Sequence, residues 1–209
     1  MPGILEKYDL FLFDWDGVLI RLYKHTKLYG RLISAIVSTE GAKPYSATFD
    51  ESAYRKGQEN MILGKFLNFF IKHFIRPRLN YGVNKTIKEL KRHGKLVAVF
   101  SNGSKGRIMI KMEKLGIRKY FDLVSSNDEI GFSKPNPAGL IFVAKALKVR
   151  PERCLYIGDK HTDIMAARYA HMHSCAIADG FDSYARLSAM EPDYIFKNMD
   201  EFYNALFSK

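Results

Sequence analysis

Cysteine, acidic residues and uninterrupted apolar sequence are all scarce in this chain of 209 residues. Its two cysteines, Cys154 and Cys175, stand apart and each opens an apolar run. That pattern excludes a disulfide framework or a zinc site and predicts reduced thiols in a core. The longest candidate for a membrane segment, Met61 to Ile75, is interrupted by Lys65, Lys72 and His73. Only six uncharged residues, Phe66 to Ile71, separate the two lysines, far short of a bilayer span, so no membrane association is expected. The opening Met-Pro-Gly-Ile-Leu-Glu-Lys has neither a basic region nor a small-residue cleavage site ahead of its apolar run, and the expected location is the cytoplasm.

Acid is outnumbered, with 22 Asp and Glu against 33 Lys and Arg and a net charge of +11. The excess is localised: eleven basic and four acidic residues lie between Val18 and Asn80. Such a field attracts anions, which could be small substrates or nucleic acid. No basic run with interleaved stacking aromatics stands out, so nucleic acid is the less expected partner, though not excluded. The length and the hydrophobic content of 47% suit one good core, or one domain plus a smaller insertion.

The stretch Leu10-Phe11-Leu12-Phe13-Asp14-Trp15-Asp16-Gly17-Val18 carries the strongest local signal. Four apolar residues read as a buried strand, and two carboxylates then arrive just before a glycine. In extended chain, residues two apart point to one side, so Asp14 and Asp16 can share a site while Trp15 faces the other way. Two carboxylates held together share a proton or a cation. A solvated turn would use the same residue types, so the rest of the chain must decide.

Val18 to Val37 carries apolar residues at mostly helical spacing, and Met61, Ile62, Phe66, Phe69, Phe70 and Phe74 form an aromatic stripe ending near Pro77. These suggest a small all-helical unit with its own core. From Tyr81 the chain alternates. Helices are predicted over 83–93, 105–115, 137–148, 161–170 and 200–207, and strands over 95–100, 121–125, 154–157, 174–178 and 194–196. Repeated βα units imply a Rossmann-like parallel sheet with helices on both faces. Residues 1–17 and 81–209 would then be a discontinuous core domain, with residues 18–80 a helical cap inserted after the first strand. Ligands of such sheets bind beyond the carboxyl ends of the strands.

Polar residues collect where that rule puts them. Ser101-Asn102-Gly103 follows Val97-Ala98-Val99-Phe100; a hydroxyl and backbone N–H groups in a tight turn form an anion cradle. Lys134 lies in Ser133-Lys134-Pro135-Asn136-Pro137, where prolines stiffen the backbone and Asn136 can cap the next helix. Gly158-Asp159-Lys160-His161-Thr162-Asp163 leads from a strand into a helix, putting Asp159 at the strand end and Asp163 one turn on. Oxygen ligands of this kind suit Mg²⁺.

Together, Asp14-x-Asp16-Gly17-Val18, Ser101-Asn102-Gly103, Lys134 and Gly158-Asp159-x-x-x-Asp163 resemble, in order, the motifs of the haloacid dehalogenase-like superfamily. The resemblance is to its phosphatase branch with a small helical cap, near phosphoglycolate phosphatases and phosphoglucomutases. It implies that Asp14 is the nucleophile and forms an aspartyl-phosphate, and that Asp16 is the general acid and then base. It further implies Mg²⁺ held by Asp14, the Asp16 carbonyl, Asp159 and Asp163, the last either directly or in support, and phosphoryl oxygens bound by Ser101, Asn102 and Lys134. An acid at residue 16 favours phosphoester chemistry over carbon–halogen cleavage. His171 replaces a glycine common in this group, and Lys160 a Thr or Ser. The leading expectation is a Mg²⁺-dependent phosphatase of a small phosphorylated metabolite. A phosphohexose mutase, or a 3′-phosphatase or binding module for nucleic acid using the basic cap, is the alternative; oligomeric state is left open.

Overall fold

The computed structural model describes residues 3–21 and 77–208. A one-turn helix α1 (Ile4–Lys7) leads into strand β1 (Leu10–Phe13). After the return at Pro77 come α2 (Val83–Arg92), β2 (Leu96–Ser101), α3 (Lys105–Lys114), β3 (Leu123–Ser126), α4 (Asn127–Ile130) and α5 (Ala138–Ala146). The chain then runs through β4 (Cys154–Gly158), α6 (His161–Tyr169), β5 (His173–Ile177), α7 (Tyr184–Ser188), β6 (Tyr194–Phe196) and α8 (Met199–Phe207).

The six strands form one sheet in the order β3-β2-β1-β4-β5-β6, every neighbouring pair parallel. All four residues of β1 are buried, because a central parallel strand is covered on both faces. Its alternation divides the core. Phe11 and Phe13 join Val97, Val99, Leu155, Ile157 and side chains of α2, α3 and α8, whereas Leu10 and Leu12 join Ala98, Phe100, Tyr156 and side chains of α5 and α6. The strand order reverses direction about β1, where β2 and β4 flank it, so the crevice beyond these three strands is the topological switch point.

The helices and strands read from the sequence sit within about two residues of their observed places, the scatter expected of frayed ends. The one-turn helices α1, α4 and α7 are too short to show a period. Val18 to Ile20 differ from expectation: they are not helical but form a tight turn on the core, with the Leu19 and Ile20 amides donating to the Trp15 carbonyl at 3.1 and 2.9 Å. Gly17 permits this turn, at φ +92°. Arg21 N–H donates to the Arg78 carbonyl at 2.9 Å, and the Asn80 side chain donates to the carbonyls of Gly17 and Val18 at 2.7 and 2.8 Å. Residues 18–21 and 77–80 therefore belong with the core as a paired stem, past the boundaries at 18 and 80 read from the sequence. By contacts the chain divides into Met1–Leu22 with Pro77–Lys209, and Tyr23–Arg76. The expected helical cap, with its aromatic stripe at Met61–Phe74, lies outside the described residues.

Cys154 and Cys175 are buried and unpaired, as expected of core thiols. No helix among the described residues is long and apolar enough to cross a membrane.

Candidate active site

The motif residues converge at the carboxyl ends of β1, β2 and β4. Asp14 leaves β1 with its amide donating to the Ile157 carbonyl at 2.8 Å, so the strand pairing with β4 continues one residue further and fixes the side chain's origin. Trp15 turns into the core and is 1% exposed, which leaves Asp14 and Asp16 to the other side, as the alternation predicts.

Lys134 is the centre of the constellation. Its Nζ lies 2.6 Å from Asp14 Oδ1 and 2.7 Å from Asp163 Oδ1, all three side chains being at most 7% exposed. The same ammonium donates to the Tyr156 hydroxyl at 2.8 Å, so its three protons each have a partner. Asn102 sets the backbone beneath it: Asn102 Oδ1 accepts from the Lys134 amide at 2.9 Å. The Asn102 side chain is thus engaged in placing Lys134. Asn136 Oδ1 accepts from the Ala138 amide at 2.9 Å, the capping role read from the sequence. Ser101 Oγ accepts from the Gly103 amide at 3.0 Å, closing the small turn expected there. A Cβ on Gly103 would lie 4.0 Å from Asp16 Oδ2, so the β2 turn and the Asp16 side chain face one another.

On the β4 side, Asp163 Oδ2 accepts from the Asp159 and Lys160 amides at 3.0 and 2.9 Å. Both Asp163 oxygens are therefore engaged, one by Lys134 and one by the turn at the start of α6. Gly158 is needed because a Cβ there would strike the Asp163 side chain. Asp159 is fully buried. Its Oδ2 accepts from the Phe181 amide at 2.6 Å, while its Oδ1 is buried without any partner. Gly17 and Gly180 both abut this carboxylate, and a Cβ on either would collide with it.

Oxygens of Asp14, Asp159 and Asp163 lie within 4.8 Å of one another, the one such group of possible metal ligands found among the described residues. Burial pushes the Asp14 pKa up to about 6, outweighing the pull of Lys134, with Asp163 and Asp16 adding repulsion. Asp159 is raised well above the carboxylate range by burial and by the charges of Asp14 and Asp163. Burial alone would lower the Lys134 pKa, but Asp14 and Asp163 hold it well above its ordinary value. One ammonium is too little positive charge for three packed carboxylates, and an all-oxygen cluster with an unpartnered buried oxygen fits a hard divalent cation.

This has a measurable consequence. A carboxyl whose folded pKa is raised makes the folded state bind more protons than the unfolded one, so stability falls as pH rises from 3.8 towards about 6. For Asp14 this costs about 3 kcal/mol once it is ionised. A divalent cation offsets the cost only where the carboxylate is charged. Millimolar Mg²⁺ is therefore expected to raise the thermal midpoint by roughly 5 °C at pH 7.5 and by little at pH 5, as read by differential scanning calorimetry.

Sequence reasoning missed several supporting groups. The Tyr156 hydroxyl sits inside an apolar strand, where its one signal was a polar tip in Cys-Leu-Tyr-Ile-Gly needing a buried partner. The loop of Gly180, Phe181 and Asp182 comes from after β5, with no motif to announce it. Tyr23, Lys24, Arg55, Lys56 and Arg76, polar residues of the expected cap that are candidates for substrate contact, lie outside the described residues.

Comparison with known proteins points the same way. A model of the haloacid dehalogenase-like hydrolases matches residues 8–171. The phosphoglycolate phosphatase of Nitrosococcus oceani is 30% identical over 157 residues, covering 75% of this chain and 68% of that protein. Pyrophosphatase PpaX of Oceanobacillus iheyensis is 26% identical over 205 residues, covering 91% and 92%. Among solved structures, a HAD family hydrolase of Deinococcus radiodurans with bound phosphate and sodium matches with a TM-score of 0.74 at 22% identity, over 96% of this chain and 95% of that one. That likeness establishes the shared fold.

Proposed function

Because this chain belongs to the haloacid dehalogenase-like hydrolase family, we propose from its site that it hydrolyses small phosphate monoesters with Asp14 as nucleophile. The observation that carries the reading is the Lys134 ammonium, held 2.6 Å from Asp14 and 2.7 Å from Asp163 at the sheet's switch point, beside the unpartnered Asp159 oxygen.

Asp14 is positioned by β1 and cannot swing away, because Lys134 holds one of its oxygens. Its carboxylate attacks phosphorus, and the bond from phosphorus to the leaving oxygen breaks. Asp16, partly exposed on the same side, gives its proton to that leaving oxygen. It then takes a proton from the water that attacks the aspartyl-phosphate, releasing inorganic phosphate and regenerating the Asp14 carboxylate. Ser101 and the backbone at Asn102 bind the phosphoryl oxygens, and the Lys134 ammonium, its protons held by Asp14, Asp163 and Tyr156, neutralises through its charge what gathers there. Mg²⁺ would be held by Asp14, the backbone carbonyl of Asp16 and Asp159, and when bound it supplies the positive charge that lets carboxylate and phosphate approach. The engagement of both Asp163 oxygens supports an orienting role for this residue in place of direct ligation.

The names of the relatives, phosphoglycolate phosphatase and pyrophosphatase, support a substrate that carries a second anionic group. The basic excess between Val18 and Asn80 would attract such anions. Free thiols support a cytoplasmic setting. The test is phosphate release from phosphoglycolate, pyrophosphate and hexose phosphates, with and without EDTA. Release that stops on chelation and returns with Mg²⁺ is expected; sugar phosphate isomerised without free phosphate would overturn the hydrolase reading in favour of a mutase.

A further inference from the structure

We propose that Asp182 is the positioning residue for the cation site, latching the loop after β5 so that Asp159 keeps one oxygen free. The inference rests on the reading of Asp159 as a cation ligand.

Asp159 does not set its own orientation. Phe181 N–H donates to its Oδ2 at 2.6 Å, and Asp182 N–H donates to its backbone carbonyl at 3.2 Å. Gly180 fits against the carboxylate with no room for a side chain. Three consecutive residues of one loop thus wrap Asp159, engage Oδ2, and leave Oδ1 as the buried oxygen without a partner. If this loop lifted, Phe181 would release Oδ2 and the carboxylate could rotate.

The loop is anchored by the Asp182 side chain. Its Oδ2 accepts from the His161 amide at 2.7 Å and from His161 Nδ1 at 2.8 Å. Its Oδ1 lies 3.3 Å from Arg186 Nη1 on α7. His161 is the first residue of α6, the helix that also carries Asp163. A carboxylate at this helix terminus is favoured by the free amides and the dipole. The structural consequence is specific: one side chain ties the β5 loop to the helix whose first turn sets Asp163, so both acids are held by one fastening. The side chain is 12% exposed, and its hydrogen bonds and ion pairs reach His161 and Arg186, not Asp14 or Lys134. Partners of this kind, one step removed from the ligands, typically change metal affinity by about 10–100-fold when removed.

The experiment is Mn²⁺ titration of the full chain, read by the free-ion electron paramagnetic resonance signal, for the parent and for Asp182→Ala, Asp182→Asn and Asp159→Asn. Asp182→Ala is expected to weaken Mn²⁺ binding at least about tenfold. Asp182→Asn, whose amide oxygen can still accept from His161, should recover most of that loss. Asp182→Ala binding within twofold of the parent, while Asp159→Asn loses binding, would overturn the positioning role and leave the cation site standing. Parent-like binding by Asp159→Asn would instead overturn the cation site itself. If Asp182→Ala does not fold, Asp182→Leu, of similar size but unable to accept from His161, takes its place: binding at least about tenfold weaker than the parent supports the role, and binding within twofold of the parent overturns it.

Discussion

Asp14→Asn is expected to lower phosphate release at least about a thousandfold while leaving the protein folded. An amide nitrogen and an uncharged oxygen cannot displace a leaving group at phosphorus, so no rearrangement of neighbours restores the covalent step. The fold should tolerate the change, because ionised Asp14 is itself costly: burial pushes its pKa up to about 6. Lys134 would keep Asp163 at 2.7 Å and the Tyr156 hydroxyl at 2.8 Å. An unchanged or higher thermal midpoint beside lost turnover is the expected pair of results. Lost turnover together with lost structure would assign Asp14 to folding instead. Asp16→Asn should behave differently, since an activated aryl phosphate needs little help from an acid; it should still form aspartyl-phosphate and fail mainly at its hydrolysis.

Lys134→Met should have the largest effect on stability, a loss of about 3–5 kcal/mol in equilibrium urea unfolding with EDTA present. The substitution leaves Asp14 and Asp163, 7% and 1% exposed, facing one another without the cation between them. Such carboxylates must take up protons or push apart, and both raise the energy of the folded state. Adding Asp14→Asn to Lys134→Met should return part of the loss, because one of the stranded charges is then gone. A double-mutant cycle would read this as a coupling of at least about 1 kcal/mol. Strictly additive effects would mean that Lys134 and Asp14 do not interact as the 2.6 Å separation implies.

Much of this site was legible because it is built at strand ends. Leu10–Phe13, Val97–Phe100 and Cys154–Ile157 are apolar runs bounded by polar turns, and a run of that kind fixes both the strand and the place where its loop begins. Asp14 and Ser101 follow those runs directly and Asp159 one residue after Gly158, so locating the strands located them. Lys134 and Asp163 came from motif order, and their meeting through one ammonium could not be read from spacing. Tyr156 was hidden because its ring behaves as core and only its hydroxyl reaches the site. The Gly180–Asp182 loop was hidden for another reason: it meets Asp159 across more than twenty residues of sequence, as the Phe181 bond does, and no local period reports such contacts. The stem at residues 18–21 and 77–80 escaped in the same way, since Val18 to Ile20 continue an apolar pattern and only their pairing with Leu79 and Asn80 shows that they belong to the core.

The division of labour between Asp14 and Asp16 is the centre of the account, and trapping the covalent intermediate tests it most directly. Asp16→Asn protein with Mg²⁺ would be mixed with an activated aryl phosphate, quenched in acid, reduced with borohydride and digested for peptide mass spectrometry. The prediction is homoserine at residue 14, the product of reducing an aspartyl-phosphate, with every other carboxylate intact. Homoserine at any other position, or none at all while phosphate is still released, would contradict it.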